Sequence, residues 1–382
     1  MNKIWHASNL NSADWFINGS SLNMNWQPMV IPNAGSADFL NLPESIKKIL
    51  RLDKPDLIAT VDLGGVDVPV VSIELTTTTP QSQHAKQRVP RLVAAAEANV
   101  PSIYIIPGRK LSGGSSYRLG ADLYYGVDKI QQINGIPVFI YTYPDNGGNL
   151  IHDRNYPNQP DLTSQSMIAA FRTIDELILN RINRLGIQGL YNNPWVVQEL
   201  QNQANIGSQA NVLVSNYNTL TEIPTTDLQQ FLMQNTNMTS SRINNTISKL
   251  PSRITNRHQT IIFRPGGRLL QHANDPYSGM MAFFDYCFCR IDRGVEDREK
   301  NLLYMPMNDQ INNITDEFSP AGYHRYWQNS CPFRLSGVPT VDQQFQISHH
   351  LQYGCEFSKS KPLRILGYFS DMLIFQDSVL VF

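Results

Sequence analysis

Apolar and polar positions change their spacing at recognisable points along the chain. Over residues 42–52 the apolar residues recur at helical intervals, with Pro43 and Glu44 in the first turn, which predicts a short amphipathic helix. Residues 56–62 then carry the run Leu-Ile-Ala-Thr-Val. Gly64-Gly65 interrupts before a second β-rich run at 66–75, and two such runs around a Gly-Gly step predict a hairpin. Helix formers dominate 81–99, where Pro90 either kinks one helix or leaves it to begin near Val89. Residues 102–106 read as a buried strand closed by Pro107-Gly108. Residues 136–143 read as another strand, ahead of the turn residues Pro144-Asp145-Asn146-Gly147-Gly148. The clearest long helix is 166–185, whose stripe is Ile168, Phe171, Ile174, Leu177, Ile178 and Ile182. Residues 1–40 show no period.

The order hairpin, helix, strand, strand, helix predicts an α/β fold built on a mixed sheet. Three regions are expected: a core with an N-terminal extension over 1–190, an Asn/Gln-rich helical insertion or linker over 191–250, and an aromatic-rich α+β region over 251–382. The last ends in the strand-like segments Leu373-Ile-Phe and Val379-Leu-Val-Phe. No internal repeat is visible.

Composition narrows the class. At 41% hydrophobic and 10% aromatic, the 382-residue chain can bury a core, which excludes wholesale disorder. A net charge of -1 does not suit a protein that coats nucleic acid through bulk charge, and leaves room for a local basic patch. There is no signal-peptide pattern and no run of about 18 apolar residues. Four cysteines are too few for a disulfide scaffold, so a cytoplasmic protein with no membrane partner is expected.

The chemistry concentrates at Pro55-Asp56 and Glu74-Leu75-Thr76. Asp56 lies at the mouth of the first hairpin strand and Glu74 near the end of the second, so antiparallel pairing brings them together at one end of the sheet. Two converging carboxylates suit Mg²⁺, a hard cation that prefers oxygen ligands and keeps several waters. Glu74 also sits in an otherwise uncharged run of apolar and Thr residues, where an acid is costly unless it is paired or metal-bound.

Pro55-Asp56, Glu74-Leu-Thr76, a following helix and then the strand at 103–106 resemble the PD-(D/E)xK nuclease superfamily, whose best-known members are type II restriction endonucleases. The resemblance covers roughly residues 40–185 and implies an α/β/α restriction-endonuclease-like core. It implies Asp56 and Glu74 as ligands of Mg²⁺, for which Mn²⁺ can substitute, and Glu44 on the preceding helix as a third acidic ligand. It implies a DNA endonuclease acting on double-stranded DNA, by analogy as a homodimer. The family's Lys two positions after the Glu is Thr76 here. The next helix offers Gln83-His84-Ala-Lys86-Gln87-Arg88, from which Lys86 is the surrogate and Gln83 and Gln87 are alternates; Arg88 and Arg91 suit phosphate contacts. Two alternatives accompany this reading: an inactive nucleic-acid-binding protein of the same fold, and a ligand-activated defence effector nuclease.

Other constellations carry less. Arg264-Pro-Gly-Gly-Arg268, with Arg253, Arg257 and His258, is the most basic stretch of the second half, and Arg264 and Arg268 are its candidate DNA contacts. Cys287-Phe-Cys289 lacks the usual zinc spacing. Gly113-Gly-Ser-Ser116 reads as a flexible loop without the P-loop Lys, and no Gly-x-Ser-x-Gly elbow appears. Asp122 is a lone acid.

Overall fold

The structure, a computed structural model, describes residues 1–210 apart from 8, 34–36 and 81, then 220–263 and 298–305, with short pieces at 283, 286–287, 369–374 and 379–381. The chain divides into two units, Met1–Asn211 and Val212–Phe382. The division falls inside the Asn/Gln-rich stretch.

The first forty residues, which show no period, enter the heart of the first unit. Strand β1 (Asn2–His6) pairs in parallel with β2 (Trp26–Val30) and antiparallel with β3 (Leu57–Asp62). Helix α1 (Leu10–Gly19) links the first two, capped by Asn9, whose side chain accepts from the N–H of Asn11. Its pattern is hard to read because Trp15 and Phe16 share the buried face with Ser12, while Asn and Asp interrupt the stripe.

After α2 (Ala37–Leu40) and α3 (Glu44–Ile49), β3 and β4 (Asp67–Leu75) form the expected hairpin. Gly64 and Gly65 at its tip have φ of 71° and 86°, values that only glycine adopts readily. The register shifts between Ala59 and Thr60, opposite the strand's Pro69, which has no N–H to give the ladder. The helical stretch at 81–99 breaks into α4 (Ser82–Lys86) and α5 (Val89–Glu97), placing Pro90 in the first turn where its missing donor costs nothing.

Strand β5 (Ser102–Pro107) follows. The segment read as a flexible loop is instead a two-stranded ribbon, β6 (Arg109–Ser112) and β7 (Ser115–Arg118), turning through Gly113 and Gly114 at φ of 57° and 79°. Next come α6 (Ala121–Asn134), β8 (Val138–Tyr143), a short hairpin of β9 (Asp145–Asn146) and β10 (Asn149–Leu150), and then α7 (Gln165–Ile182), α8 (Gly186–Tyr191) and α9 (Pro194–Gly207). The main sheet is mixed and six-stranded, in the order β2-β1-β3-β4-β5-β8, with β4, β5 and β8 parallel.

Side chains alternate across this sheet. Leu57, Ala59, Val71, Ile73, Ile103, Ile105, Phe139 and Tyr141 join Trp15, Phe16 and the inner face of α7 in one core. The opposite face of β4 and β5, which carries Glu74 and Tyr104, lies under α5. The stripe expected on α7 is partly displaced: Phe171, Ile174, Leu177 and Ile178 are buried with Met167 and Ala170, whereas Ile168 and Ile182 are 49% and 38% exposed.

The second unit has its own sheet, in the order β11 (Leu220–Pro224), β12 (Gln259–Phe263), β13 (Lys300–Tyr304), β14 (Met372–Ile374), β15 (Val379–Val381). Helices α10 (Leu228–Asn235), α11 (Ser240–Ser248) and α12 (Ser252–Thr255) contribute Leu232, Ile243 and Ile254 to its core. Asp371 is fully buried there. It accepts from Arg257 at 2.8 Å, from Arg298 at 3.4 Å and from the N–H of Leu302 at 2.9 Å. Among the described residues, no helix is long and apolar enough to cross a membrane.

Candidate functional site

The antiparallel register pairs Leu57 with Ile73, so Asp56 comes beside Glu74 one step further along. Asp56 Oδ2 accepts from the backbone N–H of Leu75 at 2.8 Å, which fixes the carboxylate at the end of β4. Glu74 points the other way from the apolar core and is 1% exposed. Its Oε1 is held by Arg91 Nη1 and by Arg88 Nε, the latter at 3.3 Å. Its Oε2 is buried and meets no hydrogen-bond donor among the described residues.

Arg91 is itself doubly anchored, because its Nε donates to Asp53 Oδ2 at 2.5 Å. The result is a buried chain of alternating charge, Asp53–Arg91–Glu74, with Arg88 at the outer end and Asp56 alongside. Burial pushes the Glu74 carboxyl up to about 7 against the pull of Arg91, with Asp56 adding to the rise and Arg88 opposing it. Burial works to lower the Arg91 guanidinium, but Asp53 and Glu74 outweigh it and hold the group above its ordinary value. Tyr104 pairs with Glu74 across the β4–β5 ladder and is raised by burial first and by Glu74 second; its hydroxyl donates to the carbonyl of Ala85 at 3.0 Å, tying α4 to the sheet.

The structure thus brings together Asp56, Glu74, Arg88 and Arg91 from the residues singled out by sequence. Lys86 is close in sequence but is 2% exposed, with its ammonium 2.6 Å from Asp122 on α6. Gln87 is engaged with His84 Nδ1 at 2.8 Å. The side chain of Gln83 lies outside the described residues, as do Arg264 and Arg268. Of the cysteines, Cys287 alone lies within them. Arg257, in the basic stretch before Arg264, is buried on Asp371 and Asn301.

Glu44 does not join the pair. It is 78% exposed at the start of α3 and paired with Lys47 at 2.7 Å. Its neighbour Ser45 donates to the carbonyl of Asp67, the first residue of β4. Seven strand residues, roughly 23 Å, separate that end from Glu74. Thr76, at the position of the family's Lys, is buried; its N–H donates to Ile105 O at 3.0 Å and its carbonyl accepts from the Tyr143 hydroxyl at 2.9 Å.

Two residues escaped sequence reasoning. Asp53 lies in an irregular segment between helix and strand, and nothing in its neighbours marks it as a partner of Arg91; the signal was the Arg88-x-x-Arg91 spacing, which puts both guanidiniums on one helical face. Asp122 looked solitary because its partner, Lys86, lies on another helix.

For a divalent cation the fit rests on the orphaned Oε2 of Glu74 and the free edge of Asp56. Among the described residues, no group of three or more His, Cys, Asp or Glu side chains gathers around one point. The protein would therefore contribute two carboxylates, and water would fill the remaining positions, an arrangement Mg²⁺ tolerates well. No protein-family model, no curated protein and no solved structure matches the chain.

Proposed function

We propose that this protein is a Mg²⁺-dependent endonuclease that hydrolyses phosphodiester bonds in double-stranded DNA, of the type II restriction kind. The observation that carries the reading is the meeting of Asp56 and Glu74 at one end of an antiparallel hairpin, under a helix that presents Arg88 and Arg91. Asp56 and Glu74 would hold the metal, which when bound polarises the phosphodiester and lowers the pKa of a coordinated water. Arg91, locked by Asp53, fixes the Glu74 carboxylate in place. Arg88 is the outer, more exposed guanidinium and suits the scissile or an adjacent phosphate, for which its planar fork is shaped. Lys86, two residues before Arg88, holds α4 to α6 through its buried ion pair with Asp122. Cutting both strands calls for two such sites, so a homodimer forms on DNA.

A second reading is an inactive DNA binder of the same fold. It is favoured by Thr76 in place of the family's Lys and by the two guanidiniums that already neutralise Glu74.

Plasmid cleavage in Mg²⁺ and Mn²⁺, with Glu74→Gln and Asp56→Asn each first shown by circular dichroism and thermal unfolding to keep the wild-type fold, tests the proposal. Cutting by the wild type that both variants lose by a hundredfold or more supports it. Duplex binding in Ca²⁺ without cutting in either metal moves the protein to the second reading, and cutting that survives both substitutions sinks the assignment of the site.

A further inference from the structure

We propose that the β6–β7 ribbon is an arm that grips double-stranded DNA beside the Asp56–Glu74 site; this rests on the nuclease reading of that site. Strands β4, β5 and β8 are parallel, so their carboxyl ends share one edge of the sheet, the edge at which ligands of such sheets gather. Glu74 is the penultimate residue of β4, and the ribbon springs from the end of β5 two residues past Pro107.

Two contacts fix the base of the ribbon near the site. Lys110 Nζ donates to the carbonyl of Thr77 at 2.8 Å. Thr77 is three residues beyond Glu74, so their Cα atoms lie within about 11 Å of each other at full extension. Leu111 packs against the turn of the β9–β10 hairpin, where a Cβ on Gly148 would come 2.9 Å from Leu111 Cδ1. Beyond these anchors the tip is open, and a Cβ built on Gly113 or Gly114 would meet nothing within 4 Å.

The charge is one-sided. Residues 107–121 contain Arg109, Lys110 and Arg118 and no acid. Arg109 and Arg118 face each other directly across the ladder, both exposed, and neither has an ion-pair partner among the described residues. Like charges opposite one another weaken a two-stranded ribbon, and an anion between them removes that penalty. The tip, Ser112-Gly113-Gly114-Ser115, offers backbone N–H groups and hydroxyls with little bulk. A two-stranded ribbon fits the major groove, about 12 Å wide. The absence of an aromatic wedge at the tip argues for a polyphosphate groove over a lipid surface.

The test is fluorescence anisotropy of a labelled mixed-sequence DNA duplex with the full chain in Ca²⁺, across a salt series. The double variant Arg109→Ala/Arg118→Ala is expected to bind about tenfold or more weakly, with the slope of log affinity against log salt reduced by about 2. The variant Arg109→Lys/Arg118→Lys, which keeps both charges, is expected to recover most of the affinity; its failure to do so would mean that charge is not what the ribbon supplies. A double Ala variant that matches wild type in affinity and slope overturns the arm while leaving the nuclease reading intact. A wild type that binds no duplex overturns the nuclease reading itself.

Discussion

Arg91 and Glu74 form an ion pair sealed between α5 and β4, and the pair satisfies only half of the Glu74 carboxylate. Oε1 is crowded by two guanidiniums while Oε2, equally buried, has no donor among the described residues. A buried carboxylate with one idle oxygen is costly, and a fold that needed only an ion pair here could have saturated both.

The same pair predicts a large stability difference between two neighbouring arginines. Replacing Arg91 with Met removes the guanidinium that Asp53 and Glu74 share and leaves Glu74 only its longer contact to Arg88, and breaking a buried pair in this way costs about 3–5 kcal/mol. Arg88 reaches Glu74 from a side chain that is 24% exposed, and its loss should cost about 1 kcal/mol or less. Urea unfolding monitored by Trp fluorescence measures both. Equal destabilisation would mean that Asp53 does not anchor the chain of charges.

Arg88 also competes with the proposed metal. It holds Glu74 Oε1 at 3.3 Å, so loading a cation at the carboxylate works against that contact. Substituting Arg88 with Ala is expected to tighten Mn²⁺ binding in the absence of DNA by about fivefold, the equivalent of a contact worth about 1 kcal/mol. Mn²⁺ titration followed by electron paramagnetic resonance reads this without any need for cleavage. Unchanged or weaker binding would show that Arg88 is not the competitor.

How much of this was legible in the sequence follows from where the information is local. The β3–β4 hairpin was readable because both strands and the Gly64-Gly65 step lie within about twenty residues, and its register then placed Asp56 beside Glu74. The core strand β1 was not, because its partners come from residues 26–30 and 57–60 and its own five residues are too few to establish a period. The burial of Ser12 on α1, and the exposure of Ile168 and Ile182 on α7, are tertiary facts that hydropathy reads with the wrong sign. At the site, the acids that sequence missed, Asp53 and Asp122, each answer a base on another element. Glu44 failed for the converse reason: its distance from Asp56 in sequence is short, but α3 begins at the opposite end of β4.

Stability should fall on mild acidification through His6. This residue is buried on β1; burial holds its pKa below the ordinary 6.5, Lys54 adds to the lowering, and Asp14 opposes it. The unfolded chain therefore takes up a proton near 6.5 while the folded one does not until a lower pH, so stability is present above that value and declines as pH drops below it. His152 shifts in the same direction, again chiefly by burial, and contributes in parallel. Unfolding midpoints measured on either side of 6.5 for wild type and His6→Gln should show a shallower decline in the variant. An identical pH dependence would assign the loss to other groups.

Gly19 ends α1 with its Cα against the ring of Phe171 on α7. A Cβ there would lie 2.1 Å from Cζ and 2.4 Å from both Cε atoms. The ring has little freedom to retreat, since Trp15 meets it edge-on at 4.9 Å between centroids and Phe16 lies at 6.1 Å. Gly19→Ala is therefore expected to cost about 1–3 kcal/mol by overpacking, despite the partial exposure of the position and the better helix propensity of Ala. If the clash is with this ring, Phe171→Leu should be less damaging in the Gly19→Ala background than in wild type, because the smaller side chain makes room for the new methyl. A double-mutant cycle by chemical denaturation measures that coupling. Additive effects would mean that α1 slides to absorb the methyl, and that the contact between α1 and α7 is looser than the ring geometry implies.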